Sequence, residues 1–497
     1  MLMIDAIYAS PIDHRRLVTF ANPFLSAMRS ATTQRGAPSR SDDGMTQTWK
    51  YVLAAALMCV LCGCDRKATP TSTQADSAQQ KKLIARIHPS GFALAHDTFN
   101  GIGAGSDGKI YFVLSSESYE TGAQAYSFDP STSQVKHLGD LTEACGEKGM
   151  KAIVQGKSHV SFVESNGKLY FATHVGYYSV IDGMEKMGVP PPGFHPYPGG
   201  HILSLDMRSG KFDDLGKVAT GEGIITMSMD VRRGQIFGLT WPTGNFFRFD
   251  VAKREFKEFG PFFEKGENGQ GSSYRTICRS IAVQPNDGTA WFTRGEGTIF
   301  RYDPKSDSVA PFSGENLKRD YFGQYDFTSG GHMAYNWRRI TWIAARNAFY
   351  GVHGNSGYLF LFDPAAPVVD VLDRITSEPS RRSGMFDQFS YGYLGFDLGP
   401  DGHTLYYLTG GPVYAGGKRV TGKNSTAKGE AMGTENLHLV TYETEGGHYI
   451  DHGPVFYENG DRPTYVNSIA VGKDGSVYAI ARVKSGEGHA ELISIKP

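Results

Sequence analysis

Short segments in which apolar and polar residues alternate recur along the chain, and each is followed by a second segment of the same kind. The first segment of a pair begins at a tight turn such as Asp-Gly, and the second usually ends in Asp. Alternation with a period of two is typical of a half-buried β-strand, and Asp-Gly or Asn-Gly is typical of a hairpin turn. The paired pattern occurs seven times, at residues 107–130, 166–206, 233–250, 287–304, 346–364, 401–443 and 474–497.

One turn residue can be assigned to each copy, and the spacing of these residues predicts the fold. Successive turn residues are 54 to 73 residues apart, which suits four short strands with their loops. Four-stranded sheets set radially around a channel are the closed solution to such a repeat, so we predict an all-β, seven-bladed β-propeller. The turn residues are Gly108, Gly167, Gly234, Gly288, Asn347, Gly402 and Gly475.

The N- and C-terminal strands of the predicted propeller are expected to pair with each other. The last copy ends at its third strand, residues 491–496, and an alternating segment at residues 82–88 precedes the first copy. If residues 82–88 supply the outer strand of the last blade, the ring closes and no sheet edge stays exposed. A frayed last blade is the alternative.

Composition narrows the class of protein. The chain has 40% hydrophobic and 12% aromatic residues, which is too apolar for a disordered protein, and its 61 glycines disfavour a helix bundle. The formal net charge of -1 gives no reason to expect a nucleic-acid partner. Cys145 and Cys278 are the cysteines of the predicted propeller. We expect two buried thiols, with a disulfide between them as the alternative.

The first 80 residues are predicted to lie outside the propeller. Residues 50–64 (KYVLAAALMCVLCGC) join a cationic flank to a short apolar run, which is typical of a secretion signal. The end of this run resembles the bacterial lipobox, and the resemblance implies that Cys64 becomes a diacylated first residue. We predict an upstream segment from a start site assigned too early, a lipoprotein signal peptide, a flexible tether and the propeller, at residues 1–44, 45–64, 65–80 and 81–497 respectively.

This organisation predicts a location. A diacylated protein is held firmly at a membrane without spanning it, so we expect contact with the membrane through the lipid alone. We expect a monomer in the bacterial cell envelope that faces the periplasm or the exterior. An ordinary cleaved signal or a membrane helix at residues 50–64 is the alternative.

Polar residues at the strand ends predict a site on one face of the propeller. Positions about eight residues before each turn residue and six or seven after it should lie at the same end of the first two strands. They hold several His and Arg residues, so a cationic opening is expected there, and the long loops 176–200 and 411–435 lie on the same face. The candidate catalytic residues are His159, His174, Tyr177 and Tyr178, and the candidate substrate-binding residues are Arg279, Arg294, Arg339, Arg482, Trp241 and His353.

Each candidate also has a structural interpretation. The histidines can fill blade ends with their ring nitrogens bonded to backbone carbonyls, the arginines can pair with loop carboxylates, and Trp241 can pack in the core. A metal ion held by two or three of His159, His174, His353 and Cys278 is a further alternative. These residues show no close ligand spacing in the sequence, so we assign no metal ligand, and the sequence identifies no cofactor.

The candidate residues favour elimination next to a carboxylate. The sequence shows no obvious carboxylate pair for glycoside hydrolysis and no Gly-x-Ser-x-Gly, His-Glu-x-x-His or phosphate-loop motif. In β-elimination a cation neutralises the substrate carboxylate, a base removes the neighbouring proton, and an acid protonates the leaving oxygen. These roles would fall to Arg279 or Arg339, to His159 or His174, and to Tyr177 or Tyr178.

One copy carries a resemblance to a known family. Residues 287–304 (DGTAWFTRGEGTIFRYDP) resemble the repeat of the virginiamycin B (streptogramin) lyase type of seven-bladed propeller, and the resemblance implies that fold. Arg294 stands where that repeat usually has Glu, so the family's catalytic residues are not carried over.

The His, Tyr and Arg set is similar to that of propeller polysaccharide lyases, such as ulvan and oligogalacturonate lyases. We predict a propeller that binds an anionic carbohydrate and is able to cleave it by β-elimination; the alternative is a noncatalytic propeller that binds a protein or glycan partner.

Overall fold

The computed structural model describes residues 82–181, 184–330, 332–354, 356–383, 395–412, 414–415, 418–419, 435–463, 465–466, 468–483 and 489–497. The predictions for residues 1–80, including a lipidated Cys64, lie outside these residues, and so does most of loop 411–435. Within the described part of the chain, no helix is long and apolar enough to cross a membrane.

Strands make up most of the regular structure. In the first part of the chain they are β1 Leu83–His88, β2 Ile102–Ala104, β3 Ile110–Leu114, β4 Gln124–Asp129, β5 Gln134–Asp140, β6 Val163–Ser165, β7 Lys168–Ala172, β8 Tyr178–Ile181, β9 Met184–Met187, β10 His201–Asp206, β11 Phe212–Lys217, β12 Gly223–Asp230, β13 Gln235–Trp241, β14 Asn245–Asp250 and β15 Glu255–Pro261. In the second part they are β16 Ala282–Val283, β17 Ala290–Thr293, β18 Thr298–Asp303, β19 Ser308–Asn316, β20 Trp337–Ile343, β21 Ala348–His353, β22 Tyr358–Asp363, β23 Val368–Arg374, β24 Phe396–Leu398, β25 Thr404–Pro412, β26 Tyr414–Ala415, β27 Lys418–Arg419, β28 Glu435–Glu443, β29 Tyr449–Tyr457, β30 Ala470–Val471, β31 Val477–Arg482 and β32 Ala490–Ile495. The helices are α1 Leu141–Ala144 and α2 Glu378–Ser383, with 3-10 turns at Gly266–Asn268, Gly271–Ser273, Asp320–Phe322 and Ala344–Arg346.

The strands form antiparallel groups of four, as the sequence predicts. Five groups are separate sheets with the strand orders β2-β3-β4-β5, β6-β7-β10-β11, β12-β13-β14-β15, β16-β17-β18-β19 and β20-β21-β22-β23. Two further groups share one eight-stranded sheet, in the order β24-β25-β28-β29-β1-β32-β31-β30, and β8-β9 and β26-β27 are hairpins. The fold is an all-β propeller, which confirms the predicted fold class. The closure of exactly seven blades into one ring stays a prediction.

Strand β1 brings the two ends of the described chain together. It pairs antiparallel with β32, where Ala85 lies opposite Ile495 and Ile87 opposite Ile493. Its other edge pairs parallel with β29, where Leu83 lies opposite Val455. This is the pairing that the alternating segment at residues 82–88 predicts, and it leaves neither β29 nor β32 with an open edge at this point.

The seven predicted turn residues adopt the backbone conformation that their sequence requires. All have positive φ angles, from 48° at Asn347 to 85° at Gly108. A residue without a Cβ atom reaches this region without steric cost, and Asn is one of the few others that tolerates it. This is the conformation that a tight hairpin turn needs.

Aromatic side chains fill the spaces within and between the sheets. Gly238 in β13 and Gly351 in β21 lie opposite Phe247 and Phe360 of the neighbouring strands. A Cβ atom at these glycines would stand 2.2 Å and 2.4 Å from the two Phe rings, so only glycine leaves room for each ring to lie across its strand. Cys145 and Cys278 are buried free thiols, which confirms the expectation for the cysteines.

The first strand of each group lines one cavity of about 580 Å³, which we call the inner cavity. Its lining includes residues of β2, β6, β12, β16, β20, β24 and β30. These seven strands therefore face a common space, and the residues just before each of them lie near one end of it.

Strand β1 supplies a test of the pairing between the chain ends. Leu83 is 3% exposed and Ile84 is 47% exposed on the same strand. We expect Leu83→Ala to lower the free energy of unfolding by about 2–3 kcal/mol because it leaves a cavity. Ile84→Ala, the matched control, should change it by less than about 0.5 kcal/mol. Urea titration measures both, and equal effects of the two changes would contradict the burial of this strand face.

Candidate functional site

Five of the ten candidate residues line one small cavity. His159, His174, Tyr178, Trp241 and Arg279 surround a space of about 60 Å³, together with Phe99, Glu185, Ile225 and Glu267. We call this the histidine cavity. A space of this size accommodates a group such as a carboxylate.

Strand ends place these residues. His159 and Arg279 lie shortly before β6 and β16, the first strands of their groups, while His174 and Trp241 lie at or just after the ends of β7 and β13. An antiparallel backbone bridge between His174 and Lys157 joins the segment that follows β7 to the segment that precedes β6. Gly223 lies against His174, and a Cβ atom there would be 2.9 Å from the imidazole ring. The register set by the tight turns therefore carries separate parts of the sequence to one place.

Both histidines are neutral and hold their proton on Nδ1. Nδ1 of His159 lies 2.8 Å from the carbonyl oxygen of Ile225, and Nδ1 of His174 lies 2.8 Å from that of Val175. A carbonyl only accepts, so each Nδ1 donates and each Nε2 retains its lone pair. Burial is the main cause that lowers the pKa of His174 to about 3 and the pKa of His159 well below its usual value. Nε2 of His174 is buried and has no hydrogen-bond partner among the described residues.

The two imidazoles belong to a stack of aromatic rings. Their centroids are 5.5 Å apart, and Phe99 stacks on His159 at 5.1 Å. Trp241 lies 5.5 Å from His174 on the other side. The Tyr178 hydroxyl donates to the carbonyl oxygen of Val175 at 2.8 Å and lies 3.4 Å from Nδ1 of His174. Burial, followed by the charges of Glu185 and Glu117, raises the pKa of Tyr178 well above its usual value, so the phenol stays protonated.

Glu267 organises the opposite wall of the histidine cavity. It accepts hydrogen bonds from Nη2 of Arg279 at 2.6 Å and from the Trp241 indole at 3.0 Å. Arg279 also donates to the carbonyl oxygen of Ile277 at 2.6 Å. Because both charges are buried, this pair depends on its mutual hydrogen bonds, and loss of either partner would leave the other charge uncompensated.

Lys157 lies behind the cavity and is not among the candidate residues predicted from the sequence. Its side chain is fully buried, and its Nζ makes no hydrogen bond to the described residues. The ammonium lies 4.4 Å from the ring centroid of Phe99 and 4.8 Å from that of Tyr178, and its nearest carboxylate oxygen, on Glu117, is 3.9 Å away. Lys157 stands two residues before His159, and this proximity to a candidate base is the feature of the sequence that could have identified it.

The hairpin β8-β9 covers one side of the site. Tyr178 and Glu185 of this hairpin line the histidine cavity, while Ile181 and Lys186 line a neighbouring groove of about 150 Å³. Lys186 donates to the backbone carbonyl oxygen of Glu267 at 2.6 Å, which ties the hairpin to the Glu267 wall. The hairpin lies within the predicted loop 176–200, so this loop does contribute to the site.

The other candidates lie elsewhere. Tyr177 packs edge-to-face on Tyr119 with the centroids 5.6 Å apart, and it does not line the cavity. His353 is buried, stacks on Phe322 at 4.2 Å, and bonds Ser356 through Nδ1 at 2.8 Å.

Trp241 does line the histidine cavity, but it is 3% exposed, so its contacts are those of a packed side chain.

The predicted cationic opening is corrected by the structure, because most of its arginines have acidic partners. Arg294 lies between Glu264 and Glu296, at 2.6 Å from Glu264. Arg482 binds Asp97 at 2.6 Å and lies over the ring of Tyr465. Carboxylates on neighbouring loops thus compensate these charges, as the alternative interpretation of the arginines expects. Arg339 lines the inner cavity and not the histidine cavity.

The described residues contain no group of three or more His, Cys, Asp and Glu side chains that could hold a metal ion. His159 and His174 are near each other, whereas His353 and Cys278 do not line their cavity.

The state of His174 can be measured directly. We expect its imidazole to remain neutral, with the proton on Nδ1, down to about pH 5, because burial lowers its pKa to about 3 from the ordinary 6.5. The unfolded chain takes up a proton below pH 6.5 and the folded chain does not, so this residue makes stability fall as the pH falls below 6.5. NMR of histidine-labelled protein, assigned with His174→Gln, checks this, and a titration near pH 6.5 would contradict it.

No family model and no curated protein matches the chain. Solved structures are similar to it at low identity. The Cps50 (Swd1) β-propeller domain from Myceliophteria thermophila is 9% identical with a TM-score of 0.45, and the match covers 81% of this chain and 97% of that one. A putative 6-phosphogluconolactonase from Bacteroides uniformis is 13% identical with a TM-score of 0.46, over 77% and 94% of the two chains. The extracellular domain of a putative one component system from B. thetaiotaomicron is 10% identical with a TM-score of 0.44, over 84% of this chain and only 40% of that one. At these identities the similarity concerns the fold alone.

Proposed function

We propose that the histidine cavity binds the carboxylate end of an acidic sugar unit and that its residues cleave the polysaccharide by β-elimination. One observation supports the proposal above the others. Two neutral imidazoles, a phenol and an arginine line a single cavity, with a buried ammonium behind it. These are the groups that the reaction requires, and they come from three separate parts of the sequence.

Lys157 is the cation that we assign to the substrate carboxylate. Arg279 already bonds Glu267 at 2.6 Å, whereas Lys157 has only Glu117 at 3.9 Å, with no hydrogen bond between them. The side chain of Glu117 is 40% exposed, so a substrate carboxylate can replace it beside the ammonium. A buried ammonium without hydrogen bonds gains more from a bound carboxylate than a solvated one does.

His174 is the assigned base and Tyr178 the assigned acid. The lone pair on Nε2 of His174 accepts the proton from the carbon next to the carboxylate, and the electron pair of that C–H bond forms the new carbon–carbon double bond. The bond from the neighbouring carbon to the glycosidic oxygen breaks, and the Tyr178 hydroxyl donates a proton to that oxygen. After the product leaves, His174 releases the abstracted proton from Nε2 to water and the Tyr178 phenolate takes up a proton from water, which restores both groups.

The location belongs to the same proposal. A diacylated Cys64 and a tether at residues 65–80 would hold the propeller at the surface of the cell envelope, where polymeric acidic sugars are accessible without transport. A seven-bladed ring closed by β1 would give this tethered domain no open sheet edge.

A noncatalytic function is the second candidate, and exposed apolar residues beside the cavity favour it. Val180 is 72% exposed, Ile181 49% and Val189 65%, all in or next to the hairpin β8-β9. Apolar residues grouped on a polar rim are typical of a surface that binds another protein. In this alternative the propeller presents the hairpin to a protein or glycan partner and performs no reaction.

An elimination assay tests the reaction. With uronate-containing polymers as substrates, the purified protein should release a product whose new double bond absorbs ultraviolet light. We expect His174→Ala and Tyr178→Phe each to lower the rate by about 100-fold or more, because each removes a proton-transfer group. Tyr177→Phe is the matched control, since Tyr177 precedes Tyr178 but lies outside the cavity, and it should keep the rate. Binding of the polymers without any product would contradict the reaction and favour the noncatalytic candidate.

The assignment of Lys157 gives a separate prediction about binding and stability. We expect Lys157→Met to weaken polymer binding by about tenfold or more, because the cation that faces the carboxylate is lost. The same change should leave the free energy of unfolding equal or higher, since it removes a buried charge that lacks hydrogen bonds. Lys253→Met, at a side chain that is 68% exposed, is the control. Calorimetric binding and urea titration measure the two effects, and unchanged binding in Lys157→Met would exclude this role.

A further inference from the structure

The inner cavity contains two opposite charges that do not bond each other. Arg339 of β20 and Asp397 of β24 both line it, and both side chains are half-buried. The charge of Asp397 acts on Arg339, but neither an ion pair nor a hydrogen bond joins them within the described part of the chain. Nε of Arg339 is buried and has no hydrogen-bond partner among the same residues. A half-buried guanidinium without hydrogen bonds is costly unless something else binds it.

A break in strand pairing directs Arg339 into the cavity. The register of β20 against β21 shifts between Trp337 and Arg339, which interrupts the normal alternation of side chains. Arg338 donates to the hydroxyl of Tyr407 at 2.6 Å and to the carbonyl oxygen of Gly354 at 3.0 Å. Arg338 is thus engaged in the protein, while Arg339 next to it faces the cavity.

The other charged residues of the inner cavity have partners. Glu164 accepts hydrogen bonds from the backbone nitrogen and the hydroxyl of Ser106, and Lys473 donates to the carbonyl oxygen of Ser106. Asp397 accepts hydrogen bonds only from backbone nitrogens among the described residues, from Leu398 at 2.9 Å and from Val471. Arg339 and Asp397 therefore remain as one positive and one negative group available to a ligand on the cavity wall.

We propose that the inner cavity binds a small zwitterion, a free α-amino acid with an apolar side chain. The ligand carboxylate would bond the fork of Arg339, a geometry that guanidinium groups favour, and its ammonium would bond Asp397. A neutral ligand suits this neutral pair better than an anion or a cation, because each ligand charge meets its opposite. Ile281, Val283, Met227 and Trp342 also line the cavity and provide apolar surface for the side chain. The volume of about 580 Å³ lies in the range of small-ligand sites.

This site is separate from the histidine cavity, and the proposal does not depend on the proposed function. The two cavities share no lining residue. His174→Ala should therefore leave amino-acid binding unchanged, even where it abolishes polysaccharide cleavage.

The test compares L-leucine with two molecules that each lack one of its charges. 4-Methylpentanoate lacks the ammonium, and 3-methylbutylamine lacks the carboxylate. Calorimetry on the purified full chain should show that leucine binds at least about tenfold more tightly than either. This comparison uses the unaltered protein, so its outcome does not depend on the folding of a variant.

Two substitutions assign the contacts. Arg339→Met and Asp397→Asn should each weaken leucine binding by about tenfold or more, and Arg294→Met, an arginine held by two carboxylates, should not. Circular dichroism verifies that each variant is folded, and Arg339→Lys, which keeps the charge, should lie between the wild type and Arg339→Met. Failure of leucine to bind at about 10 mM would overturn the proposal. So would equal binding of 4-methylpentanoate and leucine, or tighter binding in Asp397→Asn, because either result describes an anion site.

Discussion

A turn with a positive-φ residue joins the first two strands of each group of four in this protein, and the site depends on the register of those strands. A short turn restricts the pairing of the strands that it joins, and a slip of one residue would exchange the buried and exposed faces. Gly108, Asn347 and the five other turn residues all occupy the left-handed region. Since the turns lie at one end of the strands, they align the opposite ends of those strands with one another. His159, His174, Trp241 and Arg279 meet because they occupy those opposite ends.

The histidine cavity shows how apolar and aromatic surroundings set the protonation state of buried polar side chains. The rings of Phe99 and Trp241 exclude water from both imidazoles, and this burial keeps them neutral with free lone pairs on Nε2. Backbone carbonyls determine the tautomer, so the fold and not a catalytic partner orients each ring. The same surroundings make the ammonium of Lys157 costly in the unliganded state. In the proposed function this cost is offset when an anionic ligand binds, and reduced stability of this kind is a common compromise at functional sites.

The two cavities differ in the way that charge is arranged. Arg279 at the histidine cavity, like Arg294 and Arg482 elsewhere at the strand ends, is bonded to a carboxylate, so these charges mainly join loops to one another. In the inner cavity, Arg339 and Asp397 face a common space without a bond between them. The first arrangement gives rigidity and the second leaves capacity for a ligand. The two proposals therefore concern separate sites, one at the strand ends and one among the first strands.

The sequence alone determined the fold class, the turn conformations and the group of residues from which the site is built, because these follow from alternation and from the local steric demands of Gly and Asn. It also placed His159, His174, Tyr178, Trp241 and Arg279 at comparable strand ends. Only the tertiary structure decided which charges are compensated. Glu267, Glu264 and Asp97 approach the candidate arginines from other loops, and their distances depend on how sheets pack across the fold. The spacing of residues along the chain predicts how far along its strand each residue lies. The partners of that residue on neighbouring sheets depend on long-range packing, which a local sequence pattern does not record.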